Sequence, residues 1–118
     1  MTHKNLEVWK KSLDLVVILY KITDDFPSIE QYGIISQIKR SAISVSSNIA
    51  EGAARGSINE YIRFLNIASG SLSELETQLL ISVKLGFCQE EIVPCNEVEI
   101  ISKMLFRLKK SLDKKRSI

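Results

Sequence analysis

Histidine is almost missing from this chain: 118 residues carry one, His3, alongside only two cysteines, two prolines and one tryptophan. A single imidazole at a chain end expected to fray leaves little scope for histidine bases or for most zinc centres. Cys88 and Cys95 are too few for a disulfide framework, and no second pair joins them to close a zinc site. They read as reduced thiols, which points to the cytoplasm. Long apolar runs are missing too. The stretch Leu15 to Tyr20 is bracketed by Asp14 and Lys21, falls far short of the roughly 20 residues of a membrane span, and is followed by no small-x-small cleavage site.

What is present is enough to fold. The chain is 45% hydrophobic and 25% charged, which supplies a core for one domain, residues 1–118, and leaves no length for a second. The net charge of +2 excludes a uniformly basic, histone-like binder but hides a polarity along the chain. From residue 103 onward seven cations (Lys103, Arg107, Lys109, Lys110, Lys114, Lys115, Arg116) meet one acid, Asp113, whereas residues 1–102 carry nine cations against thirteen acids.

Prolines and most glycines fall between periodic stretches, so they divide the chain into four segments. The first is a helix over about residues 6–23, with Asn5 as its N-cap and Leu6, Trp9, Leu13, Val16 and Tyr20 on its apolar stripe. Ser28 and Gln31 have capping-box spacing before Gly33. The second, about 34–53, buries Ile35, Ile38, Ala42, Val45 and Ile49. A capping box at Ser57 and Glu60 opens the third, about 57–85, with Ile58, Tyr61, Leu65, Ala68, Leu72, Leu75 and Leu79 in heptad register up to Gly86. The fourth, about 93–115, carries Val98, Ile101, Leu105, Leu108 and Leu112. No segment alternates with period two, so the fold class is all-α. Short connections make an antiparallel up-down-up-down four-helix bundle the natural architecture.

Small residues crowd the second and third helices. Gly70 in a helix interior costs about 1 kcal/mol relative to alanine, and Ser41, Ala42, Ser44, Ser46 and Ser47 offer a matching surface. Two readings stay open: close packing of the second helix on the third within one chain, or a subunit interface. Ile43, Ile62, Phe64, Ile67, Leu80, Ile81 and Ile100 lie off the main stripes, and so many surplus apolar residues predict a homo-oligomer.

The stretch Ser36 to Gly52, with its SNIAEG ending, followed by Arg55, Gly56, Ser57 and Glu60, strongly resembles the four-helix-bundle family encoded by intervening sequences in bacterial 23S ribosomal RNA genes. Val8-Trp9-Lys10-Lys11-Ser12, Phe26-Pro27, Gly70-Ser71-Leu72, Thr77-Gln78-Leu79 and Leu85-Gly86-Phe87 extend the resemblance over nearly the whole chain, the last helix excepted. The resemblance implies a left-handed bundle assembling into a homopentamer. It also implies similarity to the accessory variability protein of diversity-generating retroelements, a pentameric barrel that binds nucleic acid. No sequence feature places the chain in the ribosome.

The function expected is that of a non-enzymatic oligomer binding RNA or DNA through phosphate contacts. The candidates are Lys109, Lys110, Lys114, Lys115 and Arg116 at the chain end, with Lys10, Lys11, Lys39, Arg40, Arg55 and Arg63 as a dispersed second set. The alternatives for these groups are helix-dipole complementation by the terminal cations and ion pairing of Arg40 and Arg55 with Glu51 or Glu60. Ile43, Ser46, Ser47, Asn48, Ala50, Glu51 and Gly70 are the candidate interface or packing residues, Asn48 and Glu51 as a hydrogen-bond network that fixes register. The competing function is a purely structural or protein-interaction oligomer. No cofactor, metal, membrane or small-molecule substrate is expected. Glu74 with Glu76 and Glu90 with Glu91 lack the spacing that aims two acids into one core, and the serines have neither a histidine nor a Ser-x-x-Lys partner.

Overall fold

The computed structural model describes residues 3–116, which form four α-helices: α1 (Glu7–Thr23), α2 (Ile34–Ala54), α3 (Ile58–Lys84) and α4 (Cys95–Arg116). Single 3-10 turns at His3–Asn5, Ser28–Glu30 and Glu90–Ile92 are the other helical elements, and there is no strand among the described residues. The molecule measures 51 × 22 × 20 Å. A cross-section of about two helix diameters each way is a two-by-two bundle. Each helix packs on its neighbour in sequence and α1 returns to α4, with α2 and α3 the most closely packed pair. Among the described residues no helix is long and apolar enough to cross a membrane.

Helix ends follow local chemistry. Ser57 accepts a hydrogen bond from the Glu60 N–H at 3.3 Å and so caps α3. At the other end Gly86, at φ +80°, donates to the Val83 carbonyl (3.0 Å) and Phe87 to that of Ser82 (2.9 Å). That pair of hydrogen bonds is a Schellman closure, and it folds Phe87 back onto the core beside Phe26. Two expected caps are absent. Asn5 lies in the 3-10 turn, where Leu6 takes the N-cap position without a side-chain bond, and Ser28 opens a 3-10 turn with no side-chain cap. In both places a tight backbone bond, Leu6 N–H to His3 carbonyl (3.0 Å) and Gln31 N–H to Ser28 carbonyl (3.1 Å), does the work assigned to a side chain. His3 also lies edge-on to Trp9, with ring centroids 4.7 Å apart.

One buried cluster draws on all four helices: Leu15 and Leu19, Ile38, Val45 and Ile49, Leu65, Leu75 and Leu79, Ile101 and Leu105. The stripes read for α2, α3 and α4 are the ones buried, with Ile58, Tyr61 and Leu108 only partly so. The stripe read for α1 is rotated. Val8, Ser12, Leu15, Leu19 and Thr23 face inward, while Leu13 and Tyr20 are exposed. The helix is apolar almost all round between residues 15 and 20, so spacing alone chooses no face. The buried hydroxyls fit because each bonds its own helix: Ser12 donates to the Trp9 carbonyl at 2.6 Å and Thr23 to that of Leu19 at 2.9 Å.

Candidate nucleic-acid and assembly surfaces

Two contacts fix how α2 lies on α3. Near the end of α2 a Cβ on Gly52 would meet the Phe64 Cβ at 2.9 Å and Tyr61 Cδ1 at 3.1 Å. Further back, the Ser44 and Ser71 hydroxyls share a hydrogen bond of 2.8 Å. Partners advance along α3 as they retreat along α2, so the two helices are antiparallel. Close approach is thus bought by Gly52 rather than by Gly70, beside which a Cβ would find nothing within 4 Å. This corrects the reading of Gly70 as the point where the two helices touch.

The same geometry sorts the small residues. With Ser44 and Ser71 facing each other, a step of one residue forward on each helix turns to Val45 and Leu72, which are buried. A step back turns to Ile43 and Gly70, which lie together on the opposite, outer side. Ser47 is exposed and Ala50 half-buried on α2, and Ile67 and Ile81 are exposed on α3. Ser46 instead belongs to intrachain packing: it is buried and donates to the Ile43 carbonyl at 3.0 Å. Asn48 and Glu51 form no joint network. Asn48 donates to the Ser44 carbonyl (2.8 Å) and hydroxyl (3.0 Å), while Glu51 pairs with Arg55 at 2.7 Å. Of the surplus apolar residues, Ile43, Ile67, Leu80, Ile81 and Ile100 are exposed; Ile62 is half-buried and Phe64 is buried between the helices.

The dispersed cations are mostly engaged locally. Lys10 lies 3.5 Å from Glu7, Lys39 sits over the Tyr20 ring at 4.3 Å, and Arg63 bonds Glu60 at 2.8 Å. That hydrogen bond and the guanidinium charge hold the Glu60 carboxyl below its ordinary range. Arg55 and Arg63 also flank the Phe64 ring, at 5.0 and 4.5 Å. Lys11 and Arg40 are exposed and make no ion pair among the described residues.

The end of α4 differs. Arg107, Lys110, Lys114 and Lys115 are exposed and form no ion pair among the described residues, whereas Lys103 is tied to Glu99 (3.1 Å). Lys109 donates to the Ser69 hydroxyl (3.0 Å), and Arg116 donates to Asn59 (3.2 Å) and pairs with Asp113. These bonds run antiparallel along α3 and frame a groove of about 440 Å³ that includes Asn66 and Phe106. The sequence reading passed over Phe106, Asn59, Asn66 and Ser69. The available signal was an aromatic beside Leu105, off the stripe of α4 and next to its cations. Cys88 and Cys95 are free thiols, Cys88 half-buried with its thiol pushed up by burial. No group of three or more His, Cys, Asp or Glu side chains converges among the described residues.

Among curated proteins, none matches the chain. A solved structure, a protein with unknown function from the S23 ribosomal protein family of Bacteroides thetaiotaomicron, is 28% identical in sequence. It covers 89% of this chain and 94% of its own, with a TM-score of 0.61. Residues 4–107 match the family described as 23S rRNA-intervening sequence protein, a stretch that ends just before the basic end of α4. With α1, α2, α3 and more than half of α4 inside that match, the chain belongs to the 23S rRNA-intervening sequence protein family.

Proposed function

We propose that this chain is a non-enzymatic, cytoplasmic homo-oligomer, a pentamer of left-handed up-down-up-down bundles, that binds RNA or DNA through basic surfaces. The observation that carries the binding is the cluster of cations with no ion pair among the described residues, Arg107, Lys110, Lys114 and Lys115, on a helix end where Asp113 is the one acid. Unpaired cations release the counterions of a polyphosphate without first losing a partner of their own. Assembly would set several such ends on one particle and turn weak contacts into useful avidity. The test is a titration of structured RNA and duplex DNA at several salt concentrations. Affinity falling linearly in log–log form with salt is expected, and absence of binding at low salt sinks the reading.

The outer face of α2 and α3 favours assembly independently. Gly70 weakens its helix although a Cβ there would meet nothing within 4 Å among the described residues, which supports reading it as room for a neighbouring subunit. An oligomer that binds no nucleic acid would establish the alternative, a structural or protein-interaction particle.

A further inference from the structure

We propose that the groove between α3 and α4 at the basic end of the bundle seats unpaired nucleotides, with Phe106 as the stacking platform and Lys109, Lys110 and Arg116 as phosphate contacts. This rests on the nucleic-acid reading above and specifies the form of nucleic acid taken.

Phe106 is 62% exposed, although Leu105 beside it is fully buried and the helix has ample polar residues for its solvent face. Its ring borders two grooves along the α3–α4 seam, of about 440 and 400 Å³, that differ in charge. On the side toward the end of α4, three cations meet the single carboxylate of Asp113; on the other side Lys109 meets Glu76 and Glu99. Glu99 is itself tied to Lys103, so the second side is close to balanced while the first keeps a surplus of cations for a polyanion, and the phenyl ring stands between the two.

The cations are also positioned. The neutral Ser69 hydroxyl fixes Lys109 and so orients its charge without cancelling it, whereas Arg116 is held both by neutral Asn59 and by the Asp113 carboxylate, which offsets part of its charge. Asn66 adds an amide that donates and accepts, the chemistry of a base edge. From Phe106 to Arg116 the helix advances about 15 Å, the length of roughly four stacked nucleotides. A duplex keeps its bases inside the stack and offers the ring nothing, whereas every unpaired base has a face to give. An acidic peptide would use the cations and leave the ring idle, so the exposed aromatic favours nucleic acid.

The experiment measures binding of a labelled single-stranded RNA oligonucleotide and of the same sequence as a duplex, by fluorescence anisotropy on the assembled protein. The wild type is expected to prefer the single strand. F106A, a substitution at an exposed position, is expected to lose about tenfold in single-strand affinity while its duplex binding and salt slope stay put. F106W is expected to keep the affinity, with its added indole emission quenched on binding. Unchanged single-strand affinity in F106A, equal losses for both RNA forms, or a smaller particle mass in F106A overturns the proposal, the last because the ring would then be a subunit contact. Displacement by a polyglutamate peptide as readily as by the oligonucleotide also overturns it. If the wild type binds neither RNA at low salt, the broader reading falls with it; wild-type binding that F106A leaves intact removes this proposal alone.

Discussion

Two glycines in adjacent helices make opposite demands. Gly52 is buried with α3 pressed against it, and an added methyl would have to push the Cβ of Phe64, which is anchored to backbone and cannot swing away. Gly52→Ala is therefore expected to lower stability by about 1–3 kcal/mol, read as a drop in the denaturant midpoint. Gly70 has open space, so Gly70→Ala is expected to raise the stability of the isolated subunit by up to about 1 kcal/mol. Under the assembly reading the same change lowers the particle mass. At the Glu60–Arg63 pair the shift is one of titration rather than stability, because both groups are exposed. A carboxyl depressed in the folded state helps above its unfolded pKa and loses that help as pH falls through the folded value. Arg63→Gln is expected to return the Glu60 carboxyl upward toward its ordinary range in an NMR titration. The thiols give a simpler contrast: burial raises Cys88 and half-covers it, so alkylation followed by mass spectrometry should label exposed Cys95 first.

At the scale of helices, legibility depended on contrast. In α2, α3 and α4 apolar residues recur against polar or small ones, so the spacing names the buried stripe; in α1 the continuous Leu15 to Tyr20 run erased the contrast, and packing chose a stripe that includes Ser12 and Thr23. The cations of α4 could be counted from the chain, but not the groove. From α3 it is lined by Ile62 and Asn66, and its cations are held by Ser69, 40 residues from Lys109, and Asn59, 57 residues from Arg116, which only the antiparallel seam brings opposite them. Lys110, Lys114 and Lys115 are exposed, so replacing all three by Gln should leave the helical circular dichroism close to wild type, less a modest loss of dipole complementation at that helix end. For single-stranded RNA each phosphate contact contributes about 0.7 to the salt slope, so the triple variant is expected to flatten the slope by about 2. An unchanged slope would return these lysines to the role of solvating a helix end.

For the whole molecule, the apolar residues left outside a 13.3 kDa bundle are the reason to expect partners. Ile43 at 42% and Ile81 at 44% exposure stand on the same outer side as Gly70. In a lone subunit a charge at either place reaches water at little cost, so Ile43→Asp should fold with nearly wild-type stability. Within an interface the same carboxylate would be desolvated without a partner, and association would fail. Light scattering at micromolar concentration is thus expected to give a multiple of the chain mass for the wild type and close to one chain for Ile43→Asp. Because the substitution lies on α2 and leaves the α3–α4 groove untouched, each released subunit keeps its own nucleic-acid contacts and loses only the repetition of them. Affinity for a long RNA should then fall by about a hundredfold or more, while affinity for an oligonucleotide short enough to fill one groove stays near that of the assembled protein. A wild type that sediments as one chain, or an Ile43→Asp variant that binds long and short RNA with the same loss, would separate assembly from binding and leave the outer face without its assigned role.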